Sequence, residues 1–370
     1  MRVRFPLSAL LLMSLVLTIS GCAGAISSSF APATNASKAS KTLPGTNVAV
    51  TPTSSPNTAA GQGVAINGNQ AAYVSSTNWM AGYTPTWSQQ WKNTRVFTGL
   101  PSSVDHLGDL DYYNGKLIVP AEYYYNCSRF GPAVLAVYDA ANGALTTWSD
   151  ISADLHEASA VTVVPEKNQV VVSSFCDAYQ GFTMLWVYDL TTVLNNVPGT
   201  PLRATQTIQL SAPVQNIQGI SWNSAIGQFL ASTTSGGPAG SLSFIAGDGT
   251  VTGPVYVVPG TQSIEMEGAD FSTGSIYYLE NGYVHNLGAP APAPVFDLPS
   301  GAYNGDRKLT ITDAAPGAVI HYTTNGSMPT ETSPVYTDAI KIHNNVTVNA
   351  IAYVSGAVSS PMTVGKFTKK

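Results

Sequence analysis

Two six-residue stretches, Gln62-Gly63-Val64-Ala65-Ile66-Asn67 and Gln218-Gly219-Ile220-Ser221-Trp222-Asn223, share one order of amide, glycine, aliphatic and amide positions. Related starts recur at Gly108-Asp109-Leu110-Asp111, Ala158-Ser159-Ala160-Val161 and Glu267-Gly268-Ala269-Asp270. Taking the second residue as register mark (the first glycine of each long stretch), the repeat falls at 63, 109, 159, 219 and 268, spaced by 46, 50, 60 and 49 residues. Units of this length holding several short strands are what β-propeller blades show. From Gly63 to Gly288 β-branched and aromatic runs alternate with Gly, Asn, Asp and Pro, and no long helical pattern intervenes. The chain therefore reads as all-β, with a β-propeller over 62–288, five blades favoured and four possible. The last unit runs out before a fourth strand, so an N-terminal strand must close the ring. Asn47 to Val50 is one candidate; Trp91 to Phe97 is the other, and would leave four full repeats.

The repeat also locates candidate chemistry. Three positions before the last four register marks stand His106, His156, Asn216 and Glu265; one before the last two stand Gln218 and Glu267, with Asp109 and Glu157 beside the set. Residues just ahead of inner strands crowd one mouth of a propeller. Two imidazoles, amides and carboxylates there would bind a polar ligand, supply acid and base groups, or hold a hard cation through oxygen. Calcium is the cation expected, on Asp109, Glu157, Glu265 and Glu267. The alternative is structural, with short polar residues capping strand ends and tying blades together. The general look is similar to the calcium-dependent lactonase and strictosidine-synthase-like propellers, and no diagnostic motif of either is present. GxSxG, HExxH, P-loop and GxGxxG motifs are absent as well.

The N-terminus gives an address. Arg2 and Arg4 precede an apolar run from Leu7 to Ile19, which is of signal-peptide length. It ends in Ile19-Ser20-Gly21-Cys22, which resembles the bacterial lipobox. That resemblance implies a signal peptide over 1–21, lipidation of Cys22 and anchorage in a lipid bilayer. Ala23, in place of the retention-signalling Asp, favours the outer membrane. Residues 22–61, rich in Ser, Thr, Ala, Pro and Asn, read as a flexible tether.

Only 10% of the chain is charged, with 44% hydrophobic residues and 33 glycines. A coiled coil and global disorder are thereby excluded. Removing the signal leaves 14 basic against 21 acidic residues, a net −7 that offers no surface for nucleic acid. With Cys22 lipidated, Cys127 and Cys176 remain, each just past a β-rich run; in an oxidising compartment such a pair closes a disulfide. Tyr123-Tyr124-Tyr125 with Trp79, Tyr83, Trp87 and Trp91 reads as blade packing, or as a platform for sugar rings.

Ala289-Pro290-Ala291-Pro292-Ala293-Pro294 is a stiff linker over 289–294. Beyond it, over 295–370, Lys308 to Thr312, Val319 to Thr323 and Val346 to Tyr353 alternate, and Asn325-Gly326 supplies a turn, as in a small immunoglobulin-like sandwich. The stretch Pro316-Gly317-Ala318-Val319-Ile320-His321-Tyr322-Thr323-Thr324-Asn325-Gly326-Ser327-Met328-Pro329-Thr330 resembles the chitobiase/β-hexosaminidase C-terminal domain. Leu298 to Tyr303, Tyr336 and Ala350 to Ala352 fit the same family, and Asn325 stands where that family usually has Asp. The resemblance implies an appended module and does not imply hexosaminidase activity; His321 and His343 read as strand-surface residues. The functional expectation is a membrane-anchored binding protein for a glycan, envelope component or protein partner. The competing one is a calcium-dependent propeller hydrolase acting on esters, lactones or phosphoesters.

Overall fold

A computed structural model describes residues 41–42, 49–50, 52–68, 70–124, 131–176, 182–234, 240–257 and 265–370. The expected signal peptide, Cys22, most of the expected tether, Tyr125 and Cys127 lie outside the described residues.

Five sheets form the first domain; four are four-stranded and antiparallel, and the second has six strands because its inner strand is split and a short parallel strand is added at its edge. Blade one comprises Gly63–Asn67, Ala71–Ser76, Trp79–Tyr83 and Gln89–Asn93. In blade two the inner strand is split into His106–Leu107 and Asp111–Tyr113; both pieces pair with Lys116–Glu122, which is followed by Ala133–Asp139 and Leu145–Asp150. Blade three is Ala160–Val164, Gln169–Ser173, Met184–Asp189 and Gln206–Gln209. Blade four is Ile217–Asn223, Gln228–Thr234, Gly240–Ala246 and Val251–Val257. Blade five has Met266–Asp270, Ile276–Glu280 and Tyr283–Gly288, and Thr53–Ser54 adds its fourth strand.

The inner strands touch in cyclic order from blade one through blade five and back to one. Because successive strand residues point to opposite faces, each blade feeds two seams. Five separate apolar clusters result, one per seam: Met80 with Val119, Leu135 with Val172, Val187 with Phe229, Phe244 with Tyr278, and Val74 with Leu279.

The five-blade count holds, and the closing strand differs from both candidates. Gln89–Asn93 is the outer strand of blade one, and Ala49–Val50 pairs with Lys41–Thr42. Closure falls to Thr53–Ser54, reinforced by the Ser55 and Thr58 N–H groups donating to Val284 O and Gly282 O. The tether expected to run to 61 therefore ends before Thr53. Two residues in a Ser/Thr-rich stretch carry no alternation, so composition hid them. The long interval of 60 residues also has a cause: a helix, Leu190–Asn195, and the strand Thr200–Pro201, on the edge of blade two, are inserted within blade three. Asp189 caps that helix by accepting from Thr192 N–H at 2.7 Å.

In the C-terminal domain Gly301–Tyr303, Thr363–Lys369, Val346–Tyr353 and Val319–Thr323 form one sheet in that order. The expected strand 308–312 breaks at Thr310: Arg307–Leu309 pairs with Ile340–Ile342, and Ile311–Thr312 with Val295–Phe296. Leu309, Ile311, Val348, Ala350 and Phe367 fill the core. His321 departs from its expected surface position. It is buried, and its Nδ1 donates to Ser333 O at 2.7 Å. His343 is exposed beside Asp306. The domain docks on the propeller through Val358, which is fully buried among the apolar side chains of blades four and five; Val358 O accepts Ala291 N–H at 2.9 Å.

Candidate functional site

The register marks meet at the axis, and what they build there is a plug. Asp109 is fully buried. Its Oδ1 accepts the N–H groups of Val64 and Leu110, both at 3.0 Å, and its Oδ2 those of Ile220 at 3.2 Å and Ala269 at 3.4 Å. One carboxyl from blade two thus gathers backbone donors from blades one, four and five. Burial pushes this group well above the usual carboxylate range, while the N–H donors pull it back.

Glycine is required around it. A Cβ on Gly63 would lie 2.5 Å from Asp109 Oδ1, one on Gly108 2.1 Å from Ser159 O, and one on Gly219 2.4 Å from Ala269 N. No side chain fits where five inner strands converge this closely.

A second layer of staples runs round the ring. Asp111 Oδ2 accepts Val163 N–H at 2.7 Å, Thr162 Oγ1 accepts Trp222 N–H at 2.8 Å, Ser221 Oγ accepts Phe271 N–H at 2.8 Å, and Asp270 Oδ2 accepts Ile66 N–H at 3.0 Å. Each joins one blade to the next. Blade one carries Ala65 at this position, and there Asp111 Oδ1 takes its own neighbour's N–H, Tyr112, at 2.7 Å.

The other expected site residues stand at or just ahead of the inner strands, at the same end of each blade. His106 Nε2 lies 3.0 Å from Gln62 Oε1, and its ring stacks on Tyr124 at 4.9 Å. Burial lowers its pKa to about 4 against the opposing pull of Asp105, so the ring is neutral and donates to the amide oxygen. Glu157 Oε2 accepts Phe175 N–H at 2.7 Å, Cys176 N–H at 3.2 Å and the Ser174 hydroxyl. Burial raises this carboxyl to about 7. His156 is half-buried on the same connection. Gln218 and Glu267 occupy equivalent places in blades four and five, each at a shift in strand register, where a bulge re-aims a side chain. Asn216 adopts a left-handed φ of 52° ahead of one bulge, and Glu265 precedes the other.

Glu122 escaped the sequence reading. It closes the apolar run Leu117-Ile118-Val119-Pro120-Ala121 and is buried, and its Oε2 accepts Ala158 N–H at 2.6 Å. Burial, and then the neighbouring charge of Glu157, raise it well above the usual range. The residues named as a calcium set are not grouped: Asp109 is spent at the axis, and Glu157 on donors of residues 174–176, just past the second strand of blade three. Among the described residues no three His, Cys, Asp or Glu side chains are grouped to hold a metal. Of the aromatics, Trp91 donates from Nε1 to Ala140 O at 3.0 Å, and Trp79 lies under Lys92 Nζ at 3.6 Å; both are scaffold.

These buried acids predict an inverted pH profile. Burial raises Asp111 to about 6, and Asp270 and Glu157 to about 7. Unfolded, all three return to about 4. The folded chain then holds protons more tightly, so the stability they contribute is full below about pH 4 and is lost as pH rises through 6 to 7. His106, lowered to about 4 by burial, opposes this, because the stability it contributes is lost as pH falls below about 6.5, but it is one group against three. Asp189, held low by Thr192, and Asp306, held low by His343, oppose it only weakly because both are exposed. Thermal scans should give a melting temperature several degrees higher at about pH 5 than at about pH 8. A higher value at pH 8 would contradict the assignment.

Residues 298–364 match the chitobiase/beta-hexosaminidase C-terminal domain family. An endoglucanase of Clostridium saccharobutylicum is 35% identical over 65 residues, which is 18% of this chain and 14% of that protein. The chain therefore aligns with about a seventh of that relative's length. Similar solved structures include the WD40 β-propeller domain of Doa1, with TM-score 0.34 and 9% identity, covering 60% of this chain and 77% of that one. A protein of unknown function from Bacteroides caccae gives TM-score 0.32 and 12% identity over 55% of this chain and 84% of that one. The chain is a five-bladed β-propeller followed by an immunoglobulin-like module similar to the chitobiase/β-hexosaminidase C-terminal domain.

Proposed function

We propose that this chain is an exported lipoprotein, anchored through Cys22 and favouring the outer membrane, whose propeller binds a glycan of its surroundings. An envelope component or a protein partner would use the same mouth. The observation that carries the reading is the division of labour among polar groups. The axial acids Asp109, Asp111 and Asp270 are consumed by backbone N–H groups. Part of the rim is neutral and hydrogen-bonding, with His106, Gln62 and Tyr124 in contact and Asn216 and Gln218 on blade four. Such a rim suits a neutral polar ligand better than a charged one. The C-terminal similarity to part of an endoglucanase supports a polysaccharide setting.

The test is the thermal stability of residues 23–370 across oligosaccharides and peptidoglycan fragments. A true ligand at a hundredfold excess over Kd adds about 2.7 kcal/mol; a panel with no shift would contradict the reading. For the anchor, intact mass of protein extracted from membranes should show a lipid-modified N-terminal Cys22. An unmodified start beyond Cys22 would exclude it. The same spectrum without reductant reports the proposed Cys127–Cys176 disulfide.

The hydrolase reading has one observation in its favour, the Glu122 and Glu157 carboxyls, which influence each other and are both raised toward the range of a general base. Ester or lactone turnover that is lost on chelation, restored by added calcium, and abolished in Glu157→Gln would establish it.

A further inference from the structure

The seam between blades five and one differs from the other four. Among the described residues its apolar cluster has nine buried members, the fewest of the five. The closing strand is two residues long and covers only His285 and Asn286 of the six-residue strand beside it. A cleft of about 210 Å³ remains, on the end opposite the mouth, lined by Thr53, Ser54, Trp87, Tyr277 and Asn286 over a floor that includes Ile66.

We infer that this cleft is a binding site for a single neutral sugar unit, an inference that rests on the glycan reading above. No acidic or basic side chain lines it, which disfavours ionic ligands. Two half-buried aromatics, Trp87 and Tyr277, offer flat apolar surface to the C–H face of a pyranose. Hydroxyl and amide groups surround them. The Asn286 Oδ1 is taken by Gly288 N–H at 2.7 Å, while among the described residues its amide nitrogen and the Thr53 hydroxyl have no protein partner. Both face a ligand's hydroxyls as ready donors. The volume falls below the roughly 300 Å³ at which drug-sized pockets begin, which limits the occupant to about one ring.

Trp87 strengthens the case by its backbone. Its φ is +60°, a conformation that is an outlier for a bulky side chain and costs nothing for glycine. The indole also packs on Tyr83, at 5.9 Å between ring centroids, and on the apolar cluster of the seam, so it is held in place as one wall of the cleft.

The experiment is calorimetric titration of residues 23–370 with D-glucose, D-galactose and N-acetyl-D-glucosamine. At least one should bind saturably, and Trp87→Gly and Asn286→Ala should each weaken it at least about tenfold. Trp87→Gly gains from the backbone at φ +60° but loses the indole's packing on Tyr83, so each variant's melting temperature is measured beside its titration, and Asn286→Ala, which removes no apolar contact, carries the test where Trp87→Gly is destabilised. Binding that persists in both variants overturns the cleft and leaves glycan binding at the mouth standing. No monosaccharide binding, with thermal shifts still seen for larger glycans, also overturns it. Silence in both experiments removes the cleft and the glycan reading together.

Discussion

Asp109→Ala should abolish folding or lower the unfolding free energy by more than about 4 kcal/mol. Four backbone N–H groups, on Val64, Leu110, Ile220 and Ala269, lose their acceptor together. Each buried donor left without a partner costs about 1–3 kcal/mol. A domain holds about 5–15 kcal/mol in all, so the loss is a large share of the total. Asp109→Asn should fall between: its oxygen still accepts, while its NH2 group points at N–H groups that need an acceptor. Urea unfolding measures both. A loss below about 1 kcal/mol for Asp109→Ala would mean that the carboxyl is incidental to ring closure.

Gly108→Ala should be nearly as damaging, for a steric reason. The new Cβ would lie 2.1 Å from Ser159 O and 2.8 Å from Ser159 C, inside any tolerable contact. That carbonyl also accepts Asp109 N–H at 2.8 Å, so moving it away loosens the plug. Overpacking usually costs about 1–3 kcal/mol. Here the clashing atoms are backbone on both sides and cannot rotate away, so the upper end or beyond is expected. Gly61→Ala is the internal control: nothing lies within 4 Å of its added Cβ. Parallel melts should separate the two variants by about 5 °C or more. Equal melting temperatures would contradict the close approach at the axis.

The ring was legible in the sequence because its tightest point imposes residue types. Gly63, Asp109, Gly219 and Gly268 mark the axis since little else fits, and that constraint repeats at blade intervals. Blade three slips by one: Ala160, not Ser159, pairs with Ser173 as Gly63 pairs with Ser75. With Ala160 as mark, Thr162 falls into line with Asp111, Ser221 and Asp270 as the stapling position.

What the acids do was not legible. A carboxylate at a blade start looks the same whether it faces a ligand or a backbone N–H. The donors that claim Asp109 come from 45, 111 and 160 residues away, so only the closed ring identifies them. Glu122 was missed for a related reason. It ends a strand reading as continuous core, and its role depends on Ala158, 36 residues further on. The cleft at the closing seam depends on the shortness of Thr53–Ser54, and nothing local announces a strand of two residues.

The central claim is that a single buried carboxyl ties four blades into one closed ring, which leaves the proposed ligand binding to the rim and seam. Amide hydrogen exchange resolved at Val64, Ile220 and Ala269 tests it most directly. The account predicts that these three exchange only through global unfolding in the parent chain, and that Asp109→Asn speeds all three together although they belong to different blades. Fast exchange at any of them in the parent, or a response confined to one blade, would contradict it.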